Sequence, residues 1–354
     1  MTMRQKTAEN KGIYKGRYLY LEILRLLAPF WVVFNHTGAY GYTHFVMEAG
    51  FGQWIELFFS CFCTIAVPIF LMISGAVLLG KEEPFSVLLK KRILRILELI
   101  VLVSIGNYLY FGNRDGWNMS FQDYLVKTMF SYEICTYYLW LYLGFLLMLP
   151  IFRQVVKRRD IIVYICICWL ALRCIPEIIE YHAKHGTLAF RNYNALLQLE
   201  YIFPLIGYYI HTMPKERVTK SNFVVLVPAA IVSILVNMNL KMNYFTGTGE
   251  FLAGYDLLSC SSAATTIFYF AKYMSDKIRF PKWINNLILI FSPTALGTFL
   301  LSAVLMWKLW DIYVVLTDYV PNYVAVLIWS FLATVMCQII TAILRLIPPI
   351  RKIL

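Results

Sequence analysis

Long apolar runs, separated by short polar and basic links, set the pattern of this chain. Ten runs reach or approach the roughly 20 residues that a helix needs to cross a bilayer core. They are Leu19–Tyr40, Ile55–Leu79, Ile93–Phe111, Tyr137–Phe152, Ile161–Ile179, Ala195–Ile210, Phe223–Leu240, Tyr255–Tyr273, Leu287–Trp307 and Tyr323–Leu346. The pattern predicts an all-α integral membrane protein, a bundle of about ten transmembrane helices. No polar stretch is long enough for a separate soluble domain. The chain therefore reads as one membrane domain over 1–354, with a short basic segment at 1–17 and a tail at 347–354. The first run is too long for a signal-peptide core and lacks a small-residue cleavage site, so it is expected to stay in the mature protein.

Composition agrees. Hydrophobic residues make up 60% of the chain and charged residues 15%, where a soluble domain carries about 25% charged. The mean hydropathy of +0.64 is a property of the whole chain rather than of one anchor. A net charge of +12 would suggest a nucleic-acid partner in a soluble protein. Here the basic residues flank the apolar runs, so the expected partner is the lipid bilayer and not nucleic acid. With the N-terminus placed inside, alternate links and the run ends beside them hold 24 Lys and Arg on the inner side and six on the outer, and Arg25 and Arg173 lie deeper within runs. Lys and Arg resist translocation, which predicts that both termini face the cytoplasm. The eight cysteines fall mostly in apolar runs without zinc-type spacing. They read as small apolar side chains, and no metal is expected.

Ionisable residues inside spans are informative because each costs about 2.5–3.5 kcal/mol on insertion scales. The first run carries Glu22, Arg25 and His36. Eleven residues of helix bring Arg25 and His36 back to one face, about 16 Å apart along the axis. Glu22, three residues before Arg25, can pair with it on that face. A cation below an imidazole suits an elongated ligand lying along the helix. The plain alternative is a structural ion pair and an interfacial histidine. The third run opens with Lys90-Lys91-Arg92-Ile93-Leu94-Arg95. Arg92 and Arg95 share a face and could clamp phosphates, or serve only as positive charge on the inner side. In the second run Pro68 is expected to free a backbone carbonyl, and Ser74-Gly75 to allow close helix approach. Glu56 lies near the outer end of the same run, facing either an acceptor or water.

Taken together these residues resemble the acyltransferase-3 family of bacterial membrane acyltransferases. The resemblance rests on Glu22, Arg25 and His36 in the opening helix, on Val67-Pro68-Ile69-Phe70 with Ser74-Gly75, and on Arg92-x-x-Arg95. Tyr138-Leu139-Trp140-Leu141 and Pro204-Leu205-Ile206-Gly207-Tyr208-Tyr209 resemble later family segments. The resemblance implies transfer of an acyl group, usually acetyl, from cytoplasmic acyl-CoA to a hydroxyl on an envelope carbohydrate or related acceptor, in the bacterial cytoplasmic membrane. It makes His36, Arg25 and Glu22 the expected catalytic group, and Arg92, Arg95 and Lys91 the expected contacts of the acyl-CoA donor. Glu56, Tyr138, Trp140 and Ser74 become candidates for acceptor contact. The chain departs from the family in having Glu22 where Asp is more usual and Tyr138 where His is frequent. It also has Phe299 and Ser302 where Tyr and His are common, so its acceptor is open.

For chemistry, a neutral histidine is the natural base near neutral pH. His36 would deprotonate the acceptor or first accept the acyl group itself, and Arg25 would hold the pantetheine end or the developing oxyanion. Two further readings stand beside this one: a transporter or flippase whose polar stripe lines a substrate path, and a membrane subunit without chemistry. A broken helix at mid-membrane would favour the transporter, and the sequence shows no sign of one. Acyl length and oligomeric state are not legible.

Overall fold

The structure, a computed structural model, describes residues 13–14, 17–115, 120–124, 137–174, 201–247 and 253–353. Strands β1 (Ile13–Tyr14) and β2 (Arg17–Tyr18) pair antiparallel just before the first helix. The rest of the described architecture is helical. In chain order the helices are α1 (Leu19–Asn35), α2 (Gly50–Phe62), α3 (Ala66–Leu78), α4 (Phe85–Leu88), α5 (Leu94–Asp115), α6 (Tyr137–Val155) and α7 (Arg159–Trp169). After them come α8 (Ile202–His211), α9 (Phe223–Phe245), α10 (Ala253–Met274), α11 (Lys282–Phe291), α12 (Ala295–Lys308), α13 (Trp310–Thr317), α14 (Asn322–Leu344) and α15 (Pro348–Ile353).

Among the described residues, six helical segments are long and apolar enough to cross a bilayer. They are Gly50–Leu78, Phe85–Tyr110, Tyr137–Val155, Lys220–Phe245, Lys282–Lys308 and Asn322–Leu344. Each coincides with an apolar run of the sequence. Helices α1 and α10 occupy the first and eighth runs. Helix α7 with the π-helical turn Leu170–Cys174 that follows it, and helix α8, occupy the described parts of the fifth and sixth, whose remaining residues lie outside the described ones. The chain is an all-α, multi-pass membrane protein. Large apolar side chains stand exposed on its flanks, Val224, Val225, Ile231, Val232 and Leu235 of α9 among them. In water such a surface would aggregate, whereas hydrocarbon accepts it.

Two segments tighten within their length. Gly50–Leu78 tightens into a 3₁₀ turn at Cys63–Ile65, and Lys282–Lys308 does so at Ser292–Thr294. The sequence reading had found no mid-span interruption. Prolines 68 and 293 supply the cause, since each lacks the N–H that an α-turn requires. The chain stays helical through both turns. The carbonyl freed by Pro68 is that of Thr64, and it accepts from the Cys260 thiol at 3.1 Å. The short helix α13 had no counterpart in the sequence reading. It begins just after Lys308, past the end of the ninth run.

Helix α1 sits at the centre, against α3 on one side and α12 and α14 on another. The most extensive helix pairing is α3 with α8. There Gly75 lies directly on the Pro204 backbone and Gly207 on the Met72 backbone, so that a Cβ at either position would strike main chain. This reciprocal crossing is what small residues permit in a membrane, where dispersion contact replaces hydrophobic drive. Two buried hydroxyls meet α1 and its C-cap from the other flank, Ser292 at Glu22 and Ser302 at His36.

Candidate functional site

One cavity of about 410 Å³ opens among α1, α3, α5, α6, α12 and the segment after α14. Six cations reach it: Arg25, Lys91, Arg92, Arg95, Arg345 and Arg351. They come from the start of α1, the turn before α5, the start of α5 and the end of α14 with α15, so the charge gathers at one end of the bundle. Further in, the walls are Ser74, Tyr138, Tyr142 and Phe299 with aliphatic neighbours. A polar, cationic mouth thus leads to an aromatic interior.

The helix leading into α5 places the basic cluster. Leu89–Ile93 forms a π-helical turn, a local widening that often marks functional sites. It carries Lys90, Lys91 and Arg92 just before α5. Arg92 donates from Nε to Glu83 Oε2 at 3.1 Å and from Nη2 to Oε1 at 2.5 Å. Arg153 of α6 donates to the same carboxylate at 3.1 Å. The Arg92 guanidinium, with Arg153 beside it, pulls the Glu83 carboxyl down to about 2. Glu83 therefore stays anionic at any physiological pH and fixes the direction of the Arg92 fork.

Arg25 is oriented in the same manner. It donates from Nη1 to both oxygens of Glu22, at 3.0 and 3.1 Å. Glu22 is buried and also accepts from Ser292 Oγ at 2.5 Å, with Arg17 Nη1 3.7 Å away. The 3₁₀ turn at Ser292–Thr294 brings this hydroxyl to the carboxylate. Glu22 is thus a buried anion with three partners, the condition under which a charge is tolerable inside a protein.

His36 follows α1 directly as its C-cap, still in right-handed helical conformation, so the face shared with Arg25 is kept. It does not line the cavity itself. Its ring packs against Phe299, centroids 5.9 Å apart, and Phe299 in turn meets Tyr138 at 5.4 Å. His36 is one aromatic ring beyond the cavity. His36 is itself an exposed residue, open on the side away from the Phe299 ring. His36 Nδ1 lies 3.0 Å from Ser302 Oγ, while Ser302 Oγ donates its single hydrogen to the Phe299 carbonyl at 2.8 Å. The hydroxyl has no second hydrogen to give. When its one hydrogen goes to the Phe299 carbonyl, Nδ1 is the donor to Ser302 and the lone pair is on Nε2.

The structure brings Arg25, Lys91, Arg92, Arg95, Ser74 and Tyr138 to one cavity, with Glu22 behind Arg25 and His36 behind Phe299. It places Trp140 and Glu56 elsewhere. Trp140 packs against the apolar cluster around Leu139 and Leu143. Glu56 is buried, accepting from Asn322 Nδ2 at 2.7 Å and lying 3.0 Å from His44 Nδ1. Together with Glu48 these two residues bring ligand-type atoms within 4.8 Å of one another. Their hydrogen bonds tie the loop after α1 to the start of α14. Sequence reasoning had treated Arg345 and Arg351 only as inner-side charge, and had no role for Glu83 or Tyr142. Ser302 stood out in the sequence only as a departure from the family pattern.

A multi-pass α-helical membrane protein with an interior polar cavity, cationic at its mouth, is the class that these features define. The chain belongs to the acyltransferase-3 family: the family's acyltransferase-domain model matches residues 18–339, nearly the whole chain. Membership implies membrane acyltransferase activity. Comparison with curated proteins and with solved structures gave no match.

Proposed function

We propose that the chain is a membrane O-acyltransferase of the bacterial cytoplasmic membrane, working as a single domain of ten spans with both termini in the cytoplasm. It moves an acyl group, acetyl in the first instance, from cytoplasmic acyl-CoA to a hydroxyl of an envelope carbohydrate. The observation that carries this reading is the convergence of six cations on one cavity whose Phe299 wall packs against His36. A polyanionic head at the mouth and a thin, neutral arm reaching inward is the shape of a CoA thioester. Charge-assisted, partly bidentate contacts hold phosphates at the mouth.

The thioester is already activated, so the protein must supply a base and stabilise an oxyanion. His36 Nε2 takes the proton of the acceptor hydroxyl as its oxygen attacks the thioester carbonyl. The carbonyl electron pair moves to oxygen, and Arg25 offsets the charge that develops. Collapse of the tetrahedral intermediate reforms the carbonyl and breaks the C–S bond. The departing thiolate takes the proton from the His36 imidazolium, giving ester, free CoA thiol and neutral His36. In a relay version Nε2 first attacks the thioester itself and then passes the acyl group on. Both versions need the lone pair on the same nitrogen.

The test is thiol release from acetyl-CoA by purified protein supplied with envelope glycan. His36→Ala should lower turnover by about 100-fold or more at unchanged melting temperature. Undiminished turnover in that variant removes the chemical assignment.

A further inference from the structure

Of the six cations at the cavity, those already neutralised can be separated from those that are not. Arg25 is paired with Glu22, and Arg92 with Glu83. Arg345 and Arg351 have no carboxylate partner among the described residues. Instead Arg345 lies among like charges. Partial burial, then the nearby Arg95, Arg351 and Arg17, push its guanidinium below the ordinary arginine value. Guanidiniums gathered in this way repel one another, and a ligand with dense negative charge relieves that repulsion. Both also lie beyond residue 339, where the family match ends. They are a feature of this chain that the family resemblance does not supply.

We propose that Arg345 and Arg351 form a subsite for the 3′-phosphate of the nucleotide end of the donor, making this enzyme selective for CoA thioesters over thioesters whose carrier lacks that group. The proposal rests on the acyl-CoA reading above. The chemistry fits by charge. The 5′-diphosphate of the donor can be met by Lys91 and by the exposed side of the Arg92 fork, both at the mouth. The 3′-monophosphate is a separate, doubly charged group on the ribose, and it needs its own donors. A guanidinium pair is the arrangement that accepts a phosphate through several parallel N–H bonds. Arg345, the C-cap of α14, and Arg351, in the short helix α15, supply it.

The experiment compares binding of CoA and 3′-dephospho-CoA to the full-length protein in nanodiscs of zwitterionic lipid, where no anionic headgroup competes. The wild-type chain should bind CoA about 10- to 100-fold more tightly than the dephospho form. Arg345→Gln/Arg351→Gln should bring that ratio close to one while leaving the affinity for dephospho-CoA within about twofold. Arg351→Gln alone, at an exposed position that the fold does not depend on, should lower the ratio severalfold. If both variants keep the wild-type ratio, or weaken the two ligands equally, the subsite is overturned while the acyl-CoA reading stands. If the wild-type chain binds neither ligand, the acyl-CoA reading falls and takes the subsite with it.

Discussion

At the scale of single residues, the site is built from side chains that fix one another. Glu22 holds Arg25 and is held by Ser292; Glu83 holds Arg92; Ser302 holds His36. Arg25, Arg92 and His36 therefore enter a ligand complex already oriented, and little of their side-chain entropy is left to lose on binding. Ser302 gives the sharpest test. Its hydroxyl sits between the Phe299 carbonyl and His36 Nδ1, and the mechanism proposed above needs its hydrogen on the carbonyl side, so that His36 donates from Nδ1 and Nε2 stays basic. Ser302→Ala frees the imidazole to take either tautomer and to rotate. Loss of one orienting hydrogen bond is worth about 1–1.5 kcal/mol, so kcat should fall roughly tenfold while KM for acyl-CoA stays put. Equal loss in both parameters, or none, would argue against the tautomer assignment. Arg25, Arg92 and Arg95 were legible in the sequence because charge inside or beside a long apolar run is conspicuous. The partners were not. Ser302 is 266 positions from His36, and Arg345 looks like any other basic residue at a span end until the fold folds it over Arg95.

At the scale of elements, the cavity exists because helices approach closely in some places and are held apart in others. The α3–α8 crossing is the close place, with Gly75 and Gly207 each against main chain of the opposite helix. Backbone cannot step aside as a flexible side chain can. Gly75→Ala should therefore lower stability in detergent by about 1–3 kcal/mol and impair transfer, because α3 also carries Phe70, Ile73 and Ser74 into the cavity wall. Gly207→Ala should do the same, and the double variant should lose less than the sum, since both act on one crossing. Gly106 of α5 is the control. A Cβ there meets nothing within 4 Å, so Gly106→Ala should leave the melting temperature unchanged or raise it. The sequence pattern located these helices well, since hydropathy reports which segments lipid will accept. It missed the π-helical turn at Leu89–Ile93 and the 3₁₀ turn at Ser292–Thr294. Both are backbone adjustments within segments that remain apolar and helical, and hydropathy is blind to hydrogen-bond register.

For the molecule as a whole, the distribution of charge and the position of the cavity make one argument. The side that the 24-to-six split of Lys and Arg predicts to be inner is the side where Arg92, Arg95, Arg345 and Arg351 converge. The two counts overlap only in part, since most of the 24 basic residues lie away from the cavity. CoA is made and kept in the cytosol, so a donor cavity open to the other side would never be filled. The orientation read from charge and the chemistry read from the cavity thus stand or fall together. Arg279 lies in an exposed link assigned to the inner side, and Asp318 in an exposed link at the opposite end, between α13 and α14. Arg279→Cys and Asp318→Cys can be labelled with a membrane-impermeant maleimide in cells. Asp318→Cys should react in intact cells, with Arg279→Cys reacting only after the membrane is opened. The reverse pattern would put the cationic mouth outside, and no rearrangement of residue roles within the cavity could then rescue a cytosolic thioester as the donor.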